Sequence, residues 1–165
     1  MTLTPRARQA LWRHVLDVDL VRAVHMGGQP VDDPIRWWLA NPRAMKVSRY
    51  GDFFWTRVLD IETTLAARRY RLDTELVLEI DDALFAENTG RYVLSIENGD
   101  ASCGRTDKTA DLVMPIASLG SLLLGGVTAS NLARGGAIRE LSDGALARCD
   151  AAFSSDVAPW SATWF

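Results

Sequence analysis

The stretch TELVLEID, residues 74–81, sets Leu76, Leu78 and Ile80 against Val77 and Glu79. Side chains alternate across an extended chain with a period of two, so this segment is predicted as a strand. GRYVLSIENG, residues 90–99, repeats the alternation with Tyr92, Leu94 and Ile96, and ENGD (97–100) turns the chain back. Cys103 falls on the next short strand, and ADLVMP (110–115) reads as another. Strands joined by short turns predict a largely antiparallel meander.

After Pro115 the period changes. Ile116, Leu119 and Leu123 share a helical face, which Gly125 ends. Thr128 caps a second helix that stops at Gly135. Ser142 is expected to cap a third, with Ala145, Leu146, Cys149 and Phe153 inward. Upstream, Asp60 caps a helix expected to run to about Arg69, with Ile61, Leu65 and Ala66 inward. Thr4-Pro5 opens a helix to about Asp17, whose apolar side includes Leu11 and His14. DLVRAVHM (19–26) reads as a strand, VDDPIRWWLAN (31–41) as a short helix capped by Asp33, and MKVSRYGDFFWTRVLD (45–60) as two strands around Gly51-Asp52. A break near Asp60 divides the chain, and the order of elements predicts an α+β fold.

The composition is that of a folded protein: 165 residues, 48% hydrophobic, net charge −3. No Lys/Arg run suggests a nucleic-acid surface. The longest apolar stretch, SLLLGGV (121–127), is far too short to span a bilayer. The opening MTLTPRARQALWRH lacks the pattern of a signal peptide, and two cysteines fit a reduced cytoplasmic setting. Cys103 and Cys149 are expected as free thiols, with Cys149 buried and Cys103 the more exposed.

Little in the chain reads as catalytic by spacing. Gly27-Gly28, Gly125-Gly126 and Gly135-Gly136 look like caps or turns, because a phosphate cradle needs strand, glycine loop and helix start in that order. Asp32-Asp33 and Asp81-Asp82 read as a cap and a strand-end turn. His14 reads as a core or interface histidine. His14, His25 and the cysteines form no recognised metal-ligand spacing, so no metal is expected. The tail PWSATWF (159–165) stands out, since Trp160, Trp164 and Phe165 are costly to leave in water. It either closes over the sheet or serves a site.

Seven stretches resemble, in order and over nearly the whole chain, the C-terminal half of the enhanced intracellular survival (Eis-type) N-acetyltransferases. They are LWRHVLDVDLV, PVDDPIRWWLANPRA, FFWTRVLDIETTLAARRY, LVLEI, LGGVTASNLARGGAI, GALARCDAAF and APWSATWF. That family joins an acetyl-CoA-binding GNAT domain, a degenerate GNAT-like domain and a sterol-carrier-like domain. The resemblance implies that residues 1–58 are the end of the middle part. Residues 59–165 would be the sterol-carrier-like part, a mixed, largely antiparallel sheet covered by helices.

The family's Arg/Gln-x-x-Gly-x-Gly/Ala pyrophosphate loop has no match in this chain. The expectation is therefore an excised fragment, a product of a split or decayed gene, or a subunit whose partner supplies the acetyl-CoA domain and the tyrosine acid. No cofactor is expected in this chain, although acetyl-CoA serves the full-length family. By the resemblance, the main-chain carboxylate of Phe165 is the general base, Trp164 touches the amine substrate, and the chain joins a homo-oligomer. Acceptors would be aminoglycosides or lysine side chains. Two rival readings are a stand-alone apolar-ligand carrier with a tunnel lined by Leu119, Leu123 and Phe153, and an interaction protein docking through Trp37-Trp38.

Overall fold

In the computed structural model, the described residues are 4–52, 54–161 and 163. The chain divides into two compact units, one from residues 55–156 and one from the segments on either side of it.

In the smaller unit, helix α1 (Pro5–Leu16) starts as its sequence dictates: the Thr4 hydroxyl accepts the Ala7 N–H at 3.1 Å. Its expected inward face is not inward. No residue of α1 is buried, Leu11 is 55% exposed, and His14 is exposed. Helix α2 (Ile35–Trp38) begins one residue after Pro34, and Asp33 accepts the Ile35 N–H at 2.9 Å. Residues 21–26 and the described residues of 45–58 are not strands, contrary to expectation. A β-like pattern needs a ladder partner for its backbone groups, and among the described residues none pairs with them.

The larger unit carries five strands: β1 (Thr74–Asp81), β2 (Gly90–Glu97), β3 (Asp100–Arg105), β4 (Leu112–Pro115) and β5 (Arg139–Glu140). Their order is β3-β2-β1-β4-β5. All neighbours are antiparallel except β1 and β4, where Leu78 lies beside Leu112 in a parallel pair. The β2–β3 turn has Asn98 at φ 53° and Gly99 at φ 82°, the left-handed pair a two-residue hairpin requires. Leu76, Leu78, Ile80, Tyr92, Leu94 and Ile96 are buried, as the alternation predicts, and Val77 on the other side of β1 is buried as well. The opposite face carries ion pairs, Glu79 with Arg91 and Glu75 with Lys108, each at 2.7 Å.

Helix α3 (Ile61–Ala66) is capped by Asp60, which accepts the Thr63 N–H at 2.9 Å. It stops short of Arg69 because the chain turns to bury Tyr70. The Tyr70 hydroxyl donates to the Leu65 carbonyl at 2.9 Å and its N–H to that of Gly99 at 3.1 Å. Ala66 consequently stays exposed, while Ile61 and Leu65 are buried. Helices α4 (Ile116–Leu123), α5 (Ala129–Arg134) and α6 (Ala145–Phe153) follow. Thr128 caps α5 as expected, accepting the Asn131 N–H at 3.1 Å. Ser142 does not cap α6 with its side chain; the N-cap is Gly144, and the Glu140 carboxylate accepts the Leu146 N–H at 3.0 Å. That carboxylate comes from β5, a two-residue strand with no sequence signal.

Arg68 ties the helix ends together. Its guanidinium donates to Leu123 O at 3.0 Å, Ala152 O at 3.2 Å and Phe153 O at 2.6 Å, the last turns of α4 and α6. It also stacks 4.7 Å from the Tyr70 ring centre and 4.9 Å from that of Phe153.

Asp82 fixes the end of β1. Burial would raise its carboxyl, but bonds from Asn88, from Arg57 and from the Leu84 and Phe85 N–H groups outweigh burial and hold it well below the carboxylate range. A folded-state value below the unfolded one of about 3.9 gives stability that is present above that pH and lost as pH falls further. The urea midpoint of the wild-type chain should therefore exceed that of Asp82→Asn most at neutral pH, with the gap closing below about pH 4. An unchanged gap at pH 3 would show that the carboxylate is not held this way.

Candidate functional site

Phe165 and Trp164, the two site residues read from the sequence, lie outside the described residues. Residues 158–161 and 163 are described. The Trp160 indole Nε1 donates to the Gly28 carbonyl at 2.8 Å, and the Ala158 N–H donates to Asp32 Oδ2 at 2.8 Å. Trp160 is 40% exposed and belongs to the smaller unit. Ser161 and Thr163 close a local turn, with the Thr163 N–H on the Ser161 hydroxyl at 3.2 Å.

The loop that receives the tail is itself braced. Arg8 donates from Nε to Asp33 Oδ2 at 3.1 Å and from Nη2 to Gln29 Oε1 at 2.6 Å, with a second, shorter contact from Nη2 to Asp33. The Gln29 amide donates to the Gly27 carbonyl at 2.9 Å. Asp33 is 9% exposed, so its charge is matched by Arg8 rather than by water. Sequence reading made Asp33 the helix cap; the N-cap is instead Pro34, with the Asp33 carboxylate accepting the Ile35 N–H from one residue further out, and no role at the tail was read for Arg8, Gln29 or Asp32. No local signal could have shown one, because Asp32 and Ala158 are 126 residues apart.

Other candidates carry little chemistry. Cys103 and Cys149 are free thiols, half-buried and buried. Burial pushes Cys103 up to about 11 and Cys149 up to about 12, so neither is a ready nucleophile at neutral pH. Among the described residues no His/Cys/Asp/Glu group could hold a metal ion, and no helix is long and apolar enough to cross a membrane. A cleft of about 430 Å³ is lined by Gly90, Arg91, Arg105, Thr106 and Asp107. Its guanidinium groups already have partners: Arg91 pairs with Glu79, and Arg105 donates to the Thr89 and Glu87 carbonyls.

The tunnel reading meets a packed core. Leu119 is fully buried and Phe153 is 1% exposed, while Leu123 is half-buried and packs against the same core. Trp37, by contrast, is 80% exposed. The glycine pairs do not fit an acetyl-CoA pyrophosphate. Gly125-Gly126 follows α4, Gly135-Gly136 follows α5, and the Gly28 carbonyl receives Trp160.

Comparison with known proteins matches residues 61–162 to the sterol carrier protein domain and residues 1–61 to an acetyltransferase (GNAT) domain. An uncharacterized N-acetyltransferase of Streptomyces coelicolor is 39% identical over 96% of this chain, which spans 38% of that relative. The N-acetyltransferase Eis of Mycobacterium tuberculosis is 34% identical over 94% of the chain, again across 38% of its own length. The crystal structure of Eis1 from Mycobacterium abscessus covers all of the chain with a TM-score of 0.88 and 36% identity, the match spanning 41% of that structure. A GCN5-related N-acetyltransferase from Anabaena variabilis covers 62% of the chain with a TM-score of 0.58 and 29% identity. The chain belongs to the sterol carrier protein domain family, in the form that follows a GNAT segment in the Eis-type N-acetyltransferases.

Proposed function

We propose that this chain is the acceptor-side portion of a GNAT enzyme that moves an acetyl group from acetyl-CoA to an amine such as an aminoglycoside or a lysine side chain. The observation that carries this reading is in the smaller unit. Residues 1–61 match a GNAT domain, yet among its described residues the unit's buried hydrophobic is Ile35 alone. Leu20 is 96% and Tyr50 77% exposed. A segment with so little core of its own is suited to finishing a sheet domain that other residues begin. Those other residues would hold acetyl-CoA and supply the acid for the leaving thiolate. Phe165 would contribute its carboxylate, accepting a proton from the attacking amine, and Trp164 would border the acceptor. The assembly would work in the cytoplasm as an oligomer.

The test joins this chain to the part of the Streptomyces coelicolor N-acetyltransferase that the match does not span, and follows thiol release with a panel of amines. The joined enzyme is expected to transfer acetyl, whereas the chain alone neither transfers nor binds acetyl-CoA in calorimetry. Micromolar binding by the chain alone, or a folded joined enzyme inert toward every amine, would overturn the reading.

A further inference from the structure

We infer that the loop Gly28–Asp33 is a latch for the tail, with Asp32 and Gly28 as its two catches and Arg8 as the positioning residue that sets its shape. The consequence for catalysis rests on the function proposed above; the latch itself rests on geometry.

The two catches grip the chain two residues apart. A carboxylate receives the Ala158 N–H, a charge-assisted bond, and a main-chain carbonyl receives the Trp160 indole. Between them stands Pro159, whose ring fixes φ near −65°. A segment held at both ends with a stiff middle has few torsions left. Behind the catches, the Arg8 guanidinium spans Gln29 and Asp33, and Asp33 in turn holds the Ile35 N–H. The loop therefore has its shape imposed from α1, and the tail reads that shape.

The latch also limits reach. The residues beyond Trp160 extend at most about 17 Å from it, against about 30 Å for a tail tethered only at Asp156. Five residues anchored at their first end sweep roughly a sixth of the volume that nine sweep, and a group confined in this way acts at a higher effective concentration.

The test uses the full 165-residue chain and reads hydrogen exchange at the Ala158 amide and the Trp160 indole by NMR. Asp32→Ala is expected to speed Ala158 exchange about 3- to 10-fold, the weight of one hydrogen bond in water. Asp32→Asn keeps an acceptor and should restore most of the protection. Trp160→Phe removes the indole donor and part of its ring area and should also loosen Ala158, while Arg8→Ala loosens both positions. Protection in β1 reports whether each variant still folds. Unchanged Ala158 exchange in a folded Asp32→Ala chain overturns the latch.

In the joined enzyme the same variants should lower kcat with the KM for acetyl-CoA unmoved, and Asp32→Asn should rescue kcat. A tail loosened in exchange with kcat unchanged would leave the latch standing and remove the carboxylate's proposed role instead.

Discussion

One glycine added after Phe165 is expected to lower acetyl transfer by the joined enzyme about 10²–10⁴-fold, the range general-base catalysis supplies. The extension moves the carboxylate by about 3.5 Å. That exceeds the tolerance of a proton transfer, which needs heavy atoms within about 3 Å of each other. Both variants end in a single α-carboxyl, so the change tests position rather than the kind of group. The Ala158 and Trp160 bonds lie upstream of the insertion and should persist. The comparison is made at matched thermal stability and saturating acetyl-CoA. Undiminished turnover in the extended enzyme would show that the tail only packs.

The second large effect is expected from Arg68→Ala. One cation serves the C-terminal ends of two helices, where carbonyls without intrahelical partners concentrate and the helix dipole is negative. The guanidinium also fills the space against the Tyr70 and Phe153 rings, which meet edge to face at 5.4 Å. Arg68 is half-buried, so water replaces part of what is lost. The net destabilisation should be about 2–4 kcal/mol, or about 5–15 °C in Tm for a chain of this length. Arg68→Lys offers a point charge without the planar fork and should fall between the two. Urea unfolding decides the matter, and a loss below about 0.5 kcal/mol would mean that the joint between helix ends is incidental.

The strands β1 and β2, the caps at Thr4, Asp60 and Thr128, and the burial of Cys149 were legible because each follows from residues close in sequence. A period of two or a capping side chain declares itself locally. The same rules misread residues 21–26 and the described residues of 45–58, whose apolar content imitates strands but which find no ladder to join among the described residues. They also assigned α6 to Ser142, when the stabilising carboxylate arrives from Glu140 on a strand too short to signal.

What the sequence by itself determined was the α+β order of elements and, through its seven ordered stretches, the family. The first follows from local periodicity; the second is a resemblance of those stretches to a known family. Only the tertiary structure decided what grips the tail. The Asp32–Ala158 bond and the Arg68 joint link residues 126 and up to 85 positions apart. Such contacts depend on where the folded backbone places each donor, because a hydrogen bond is decided by a few tenths of an ångström and an angle, neither of which is written in the spacing of residues.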